Sequence, residues 1–65
     1  MENQITIKTS EIKKGDVVII TPNEYKEVAD SDSYKHNGIW SFDFDKTYRY
    51  GFQNIDTEIQ VIRKV

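Results

Sequence analysis

The side chains able to do acid–base or nucleophilic chemistry are few in this 65-residue chain. His36 is the only histidine, and it precedes Asn37-Gly38, a dipeptide typical of a solvated hairpin tip. General acid–base catalysis needs a positioned carboxylate and a substrate pocket, and no motif around His36 indicates either. We therefore interpret His36 as a surface residue, and we predict no catalytic residues and no enzymatic activity.

Two acidic pairs, Asp30-x-Asp32 and Asp43-x-Asp45, carry oxygen ligands of the kind that Ca²⁺ and Mg²⁺ prefer. The first pair begins like a calcium loop, but the glycine at the sixth position and the closing glutamate are missing. We assign these residues solvated or turn-forming roles, except Asp43, which is better explained by pairing with Arg49, and we predict no metal site. The chain also has no cysteine and no glycine-rich phosphate loop, so no cofactor is expected.

Aromatic residues are the main feature that a partner molecule could recognise, with one Trp, four Tyr and three Phe in the chain. Because few other large residues can fill a core, half of these aromatics are assigned to the interior. Those core residues are Phe42, Phe44, Tyr50 and Phe52. Tyr and Trp side chains tolerate positions that are partly exposed to solvent. The candidate partner-binding residues are therefore exposed aromatics and basic side chains near the hairpin ends: Tyr34, Lys35, His36, Trp40, Tyr48 and Arg49.

β-Strands must position these groups, because apolar residues alternate with period two and no window has the periodicity of a helix. The segments 4–9, 17–21, 25–30, 39–53 and 59–62 carry the β-branched and aromatic residues typical of strands. The unbroken apolar run at 17–20 predicts a strand covered on both faces. Thr21-Pro22-Asn23-Glu24 predicts a turn, and a single helical turn is expected at one connector.

The aromatic alternation restricts the register of the hairpin within 39–53. A three-residue connection at 45–47 keeps the aromatics on one face and pairs Phe44 with Tyr48. The same register pairs Phe42 with Tyr50, Trp40 with Phe52, Asp43 with Arg49 and Ser41 with Gly51. Opposite charges and aromatic pairs across strands each stabilise a sheet by roughly 0.2–1 kcal/mol.

The preceding hairpin is less well determined. A tight turn at Asn37-Gly38 places Trp40 opposite Lys35, but it also places Asp43 opposite Asp32, which is unfavourable. Either a bulge intervenes near 30–33 or that segment is unpaired, and the sequence leaves both alternatives open.

The strand count and chain length together favour a small barrel. An immunoglobulin-type sandwich needs about 100 residues. The segment Ile12-Lys13-Lys14-Gly15-Asp16-Val17-Val18 resembles the opening strand of SH3-like barrels, including KOW modules. The later segments 46–52 and 57–62 resemble small SH3-like barrel proteins of phages and low-GC bacteria. The resemblance implies an all-β fold: one domain over 1–65, a five- to six-stranded SH3-like barrel with at most one 3-10 turn.

The expected function is a non-enzymatic interaction module, an accessory protein of a phage or bacterium that binds another protein. The alternative is a nucleic-acid-binding barrel, but a net charge of −2 gives no general attraction to phosphates. The polar start and the longest apolar run, of four residues, predict no signal peptide and no membrane span. We expect a cytoplasmic protein that is a monomer or a weak homo-oligomer.

Overall fold

The computed structural model describes residues 2–64, which form seven β-strands and one 3-10 turn. The strands are β1 (Glu2–Lys8), β2 (Val17–Thr21), β3 (Tyr25–Val28), β4 (Tyr34–His36), β5 (Ile39–Phe44), β6 (Tyr48–Gly51) and β7 (Glu58–Lys64), and the 3-10 turn is Thr9–Glu11. The predictions of an all-β chain and a single 3-10 turn are confirmed. The strand number exceeds the predicted five or six, because β3 and β4 are separate strands. Between residues 2 and 64, no helix is long and apolar enough to span a membrane.

The strands form two antiparallel sheets, with the orders β1-β7-β2-β3 and β4-β5-β6. A single bridge between Ala29 and Phe44 joins the end of β3 to the end of β5. Over the described residues, the sheets do not close on each other by strand pairing. The four-stranded sheet and the three-stranded sheet therefore each keep two free edges.

The core lies between the two sheets and contains both aliphatic and aromatic side chains. The fully buried hydrophobic residues are Ile12, Val18, Ala29, Phe42 and Val61. The Phe42 ring lies 5.7–6.0 Å from the rings of Phe44, Tyr50 and Phe52, measured between centroids. These are the four aromatics assigned to the interior from the sequence, and that assignment is confirmed. Burial of each large apolar side chain stabilises the fold by about 1.5–3 kcal/mol.

The hairpin of β5 and β6 has the predicted register. Phe44 pairs with Tyr48, Phe42 with Tyr50, Asp43 with Arg49 and Ser41 with Gly51, across a three-residue connection. Asp45 and Lys46 in this connection have φ values of 51° and 65°. At the open end, the Phe52 N–H donates to the Trp40 carbonyl at 2.8 Å, but the Trp40 N–H donates to the Gln53 carbonyl at 3.0 Å. Two residues therefore oppose Trp40, as in a bulge, and the predicted regular pair of Trp40 with Phe52 is not formed.

The tight turn at Asn37-Gly38 is also present, with φ values of 52° and 78° that suit a primed hairpin turn. Lys35 pairs with Trp40 as predicted, and Tyr34 opposite Ser41 is the last pair. The strand then leaves the register, so Asp32 never faces Asp43. Asp32 instead accepts a hydrogen bond from the Lys14 N–H, and Ser31 Oγ accepts one from the Asp43 N–H. An irregular segment thus removes the like-charge pair.

Strand β2 is covered more completely on one face than on the other. Val18 is fully buried, whereas Val17 and Ile19, which alternate with it, are half-buried. Val28, which pairs with Val17 across the sheet, is 53% exposed. The expectation that β2 is covered on both faces therefore holds for one face only.

Candidate functional site

The strand alternation divides the six candidate partner-binding residues between two faces of the three-stranded sheet. Tyr34, His36 and Arg49 share one face with Asp43, whereas Lys35, Trp40 and Tyr48 lie on the other. The sequence presented these residues as one group near the hairpin ends. The structure separates them because neighbouring residues of a strand point to opposite sides of the sheet.

A chain of hydrogen bonds connects the first set. Arg49 Nε donates to the Tyr34 hydroxyl at 2.9 Å, and that hydroxyl donates to Asp43 Oδ1. Arg49 Nη1 lies 3.1 Å from His36 Nε2. The predicted pairing of Asp43 with Arg49 is confirmed in the register, but the Tyr34 hydroxyl mediates their interaction. The network therefore fixes the guanidinium group from two sides.

The guanidinium group of Arg49 has donors on three nitrogens. Its Nη1 lies within hydrogen-bond distance of the His36 ring, and its Nε donates to Tyr34. Arg49 Nη2 makes no hydrogen bond to any residue between 2 and 64. This nitrogen remains available as a donor to an oxygen atom of another molecule.

An apolar side chain adjoins this network. Ile39 pairs with His36 in the sheet and is 40% exposed. Gly51 lies beside it, and a Cβ atom at position 51 would lie 3.3 Å from Ile39 Cγ2. The missing side chain therefore gives Ile39 room to lie over β6. We call the surface formed by Tyr34, His36, Ile39, Asp43 and Arg49 the Tyr34–Arg49 face.

Sequence reasoning missed Ile39 as a member of this face, and it placed Asp43 opposite Arg49 without counting it among the candidate partner-binding residues. The sequence did contain a signal for this face, because side chains alternate between the two sides of a strand. One side of β5 carries the core aromatics, and the other carries Ile39, Ser41 and Asp43. Ser41 is buried on that side, and its hydroxyl donates to the Ile39 carbonyl at 3.0 Å.

The other three candidate residues interact within the protein. Lys35 Nζ lies 5.4 Å from the centre of the Trp40 ring, a cation–π geometry. The Tyr48 ring stacks on Phe44 with centroids 5.6 Å apart, although Tyr48 remains 58% exposed. Of this set, Tyr48 presents the largest free aromatic surface.

A second arginine, Arg63, forms an ion pair with the buried carboxylate of Asp16, and we call this pair the Asp16–Arg63 clip. Arg63 Nε and Nη2 donate to the two carboxylate oxygens of Asp16 at 2.8 and 2.7 Å, and the Lys13 N–H donates to the same carboxylate. Burial raises the pKa of Asp16, but the hydrogen bonds from Arg63 and Lys13 outweigh it and hold the pKa below its ordinary value. The clip connects β7 to the start of β2.

The acidic residues proposed for turns have that role in the structure. Asp30 Oδ2 accepts a hydrogen bond from the Lys46 N–H, and Asp32 Oδ1 accepts one from the Lys14 N–H at 2.8 Å. Within residues 2–64, no three His, Asp or Glu side chains come together as metal ligands.

No family model, no curated protein and no solved structure matches this chain. The resemblance to SH3-like barrel proteins therefore remains a prediction from the sequence segments that carry it.

Proposed function

We propose that this chain is a non-enzymatic interaction module that binds another protein through the Tyr34–Arg49 face. The observation that carries the proposal is the hydrogen-bonded series from Arg49 through Tyr34 to Asp43, beside the exposed Ile39. Tyrosine and arginine are enriched among the residues that dominate binding energy in protein interfaces. Side chains already held in place lose little entropy when a partner binds.

The chemistry of the face indicates what a partner must present. Ile39 beside Gly51 suits an aliphatic or aromatic side chain, because this part of the face is apolar and has no projecting group at position 51. Arg49 Nη2 suits a carboxylate or a backbone carbonyl oxygen. The charge of Asp43 opposes a phosphate at the same place. The best match is a protein surface with an apolar side chain next to an oxygen acceptor.

A capture experiment with two matched variants tests this proposal. The wild-type chain, Arg49→Ala and Lys26→Ala are immobilised and exposed to a lysate of the source cells, and retained proteins are identified. Lys26 is an exposed cation on β3, outside the proposed face. We expect one protein to be retained by the wild type and Lys26→Ala, and lost with Arg49→Ala. Equal retention by all three chains would contradict binding through this face.

Nucleic-acid binding is the second candidate, because of the exposed Tyr48 ring. Tyr48, Lys46 and Arg49 line a cleft of about 430 Å³ at the tip of the β5–β6 hairpin. A base stacked on Tyr48 would place its phosphate near Lys46, but Asp43 lines the same cleft and opposes that phosphate. Titration with single-stranded oligonucleotides at low salt, followed by Trp40 fluorescence, tests this function. No change at micromolar protein would eliminate it.

The proposal includes the finer fold assignment, an SH3-like barrel that stays open between β1 and β6, so that β1 remains a sheet edge. Ala29 and Tyr34 both pair with β5, so β3 and β4 behave as two halves of one bent strand that serves both sheets. Ile5 of β1 and Phe52 near the end of β6 pack against the same core. Nuclear Overhauser contacts between the Ile5 methyl groups and the Phe52 ring are expected. Their absence would favour two separate sheets.

The proposal also places the module in the cytoplasm, as an accessory protein of a phage or bacterium. A chain without cysteine is suited to a reducing compartment.

A further inference from the structure

The four free sheet edges differ in length and regularity. Strands β3, β4 and β6 have only four, three and four residues, and β3 also has a register shift against β2. Strand β1 has seven residues and pairs with β7 without interruption. Natural proteins protect sheet edges by short strands, bulges, prolines or charged side chains, lysine above all. Strand β1 has no bulge and no proline, and its charged residues, Glu2 and Lys8, stand at its two ends, so the stretch from Asn3 to Ile7 is open to another strand.

The hydrogen-bond ladder identifies which backbone groups of β1 point outward. The Thr9 N–H donates to the Thr57 carbonyl at 2.7 Å, so this pair faces β7. Hydrogen-bonded and non-bonded pairs alternate in an antiparallel ladder, which directs the backbone groups of Gln4, Thr6 and Lys8 away from β7. The Lys8 N–H indeed binds a different group, Glu11 Oε1, at 2.8 Å. The Glu2 N–H also points outward by the same alternation, at the end of the strand. In the central part of β1, the outward N–H groups that remain free are those of Gln4 and Thr6.

We propose that a second copy of this chain binds along β1, antiparallel, about a two-fold axis that passes through Ile5. This axis places Gln4 of one copy opposite Thr6 of the other, and each such pair exchanges two backbone hydrogen bonds. The two pairs make four bonds and satisfy the N–H groups of Gln4 and Thr6 in each copy. The two four-stranded sheets become one continuous eight-stranded sheet across the dimer.

The edge is suited to a second copy because it is complementary to itself. On the core side of the sheet, the half-buried Ile5 meets the same residue of the second copy, and paired β-branched residues stabilise a sheet. On the other side, Gln4 meets Thr6, so no like charges face each other in this central part. The axis also leaves the Glu11 cap on Lys8 undisturbed. A shift of the axis to Thr6 would need the Lys8 N–H and would break that cap.

Pairing at β1 also offers stability that a small domain lacks. Ile5 and Ile7 pack against the core but are only half-buried, and a neighbouring strand would cover more of both. The chain has no disulfide to compensate for its small core. Oligomerisation is a common route to stability for domains of this size. The inference does not depend on the proposed partner face, which lies on the other sheet.

Analytical ultracentrifugation of the full chain and two variants at position 6 tests the dimer. Thr6→Pro removes the outward N–H and no hydrogen bond of the ladder to β7, although its ring also restricts the backbone of residues 5 and 6. Thr6→Val keeps that N–H and the β-branched shape. We expect the wild type and Thr6→Val to sediment at twice the chain mass of 7.7 kDa, and folded Thr6→Pro to sediment as a monomer. A wild type that stays monomeric up to millimolar concentration would overturn the proposal.

Amide hydrogen exchange on the wild type gives an independent result if Thr6→Pro fails to fold. In the proposed dimer, the Gln4 and Thr6 amides exchange at least tenfold more slowly when the protein concentration rises above the dissociation constant. A dimer in which these two amides stay unprotected would use another surface, such as the face of β2, or would bind by side chains alone. That outcome would also overturn the proposal.

Discussion

Arg63 and Arg49 are each held near an aspartate, but the two aspartates differ in their surroundings. Arg63 binds Asp16 directly through two nitrogens, and Asp16 is only 2% exposed. Arg49 is exposed and reaches Asp43 through a tyrosine hydroxyl on an open surface. An arginine that neutralises a buried carboxylate contributes to stability, whereas an exposed arginine held only by surface side chains is available for recognition. The same residue types thus serve the fold in one sheet and a candidate interface in the other.

The largest expected difference between the two arginines is the loss of stability when each is replaced by alanine. Arg63→Ala leaves the Asp16 carboxylate buried without its partner, and we expect the free energy of unfolding to fall by about 3 kcal/mol. Arg49→Ala removes contacts between exposed side chains and should cost less than about 1 kcal/mol. Urea unfolding of both variants measures the difference. Equal decreases in the free energy of unfolding would show that the clip contributes no more to stability than the surface hydrogen bonds of Arg49.

Acid should weaken the clip. The pKa of Asp16 is lower in the folded chain than its ordinary value of 3.8, so the unfolded state binds a proton more readily. The stability from the clip is fully present above pH 3.8 and is lost as the pH falls through the folded pKa. Asp56 acts in the same direction, because hydrogen bonds from the Ser10 hydroxyl and N–H lower its pKa despite some desolvation.

Unfolding measured between pH 7 and pH 2 tests this dependence in two matched variants. Asp16→Asn should be less stable at pH 7 and should lose less further stability on acidification than the wild type. Asp43→Asn keeps the clip, so it should retain the acid dependence of the wild type. If the stability of Asp16→Asn fell with pH as steeply as that of the wild type, another group would be responsible for the acid sensitivity.

A smaller effect on stability is expected from Tyr34→Phe, which removes the hydroxyl between Arg49 and Asp43. The loss of two exposed hydrogen bonds should cost about 1 kcal/mol or less, because water replaces them. Binding of the captured partner should weaken about tenfold, since the guanidinium is no longer held. Thermal melting and titration calorimetry measure the two quantities. Unchanged affinity would mean that the hydrogen-bonded series does not organise the face.

The smallest effect on stability is expected from Gly51→Ala. The new Cβ lies 3.3 Å from Ile39 Cγ2, but Ile39 is exposed and can move by a few tenths of an ångström. The gain from replacing glycine in a strand offsets this crowding, so the net change should stay within about 0.5 kcal/mol. The Ile39 methyl resonances should shift in NMR spectra. A cost well above 1 kcal/mol would show that Ile39 is rigidly held.

The sequence predicted the β5–β6 hairpin better than the region before it. The register from Phe44–Tyr48 to Ser41–Gly51 followed from aromatic alternation alone, because neighbours along one strand must point to opposite faces. The region from Asp30 to Ser33 could not be predicted in the same way. Its course depends on a contact between Asp32 and the Lys14 N–H, which lies in another part of the chain.

The candidate site was predicted in part. Tyr34, His36 and Arg49 do come together, but Lys35 and Trp40 lie on the opposite face and interact with each other. Grouping by sequence proximity fails here because a hairpin tip presents both sides of the sheet. Ile39 went unnoticed because a single exposed isoleucine has no distinctive sequence signal.

The sequence by itself determined the all-β class and the local turns of this protein. Asn37 and Gly38 adopt the positive φ that their residue types favour, and Gly15 has a φ of 96° where the connector changes direction. These features depend on neighbouring residues only. The tertiary structure decided which arginine pairs with a buried carboxylate, because Asp16 and Arg63 are 47 residues apart and meet only through the order of the strands. Long-range pairing of this kind has no local signal, because it depends on the arrangement of the whole sheet.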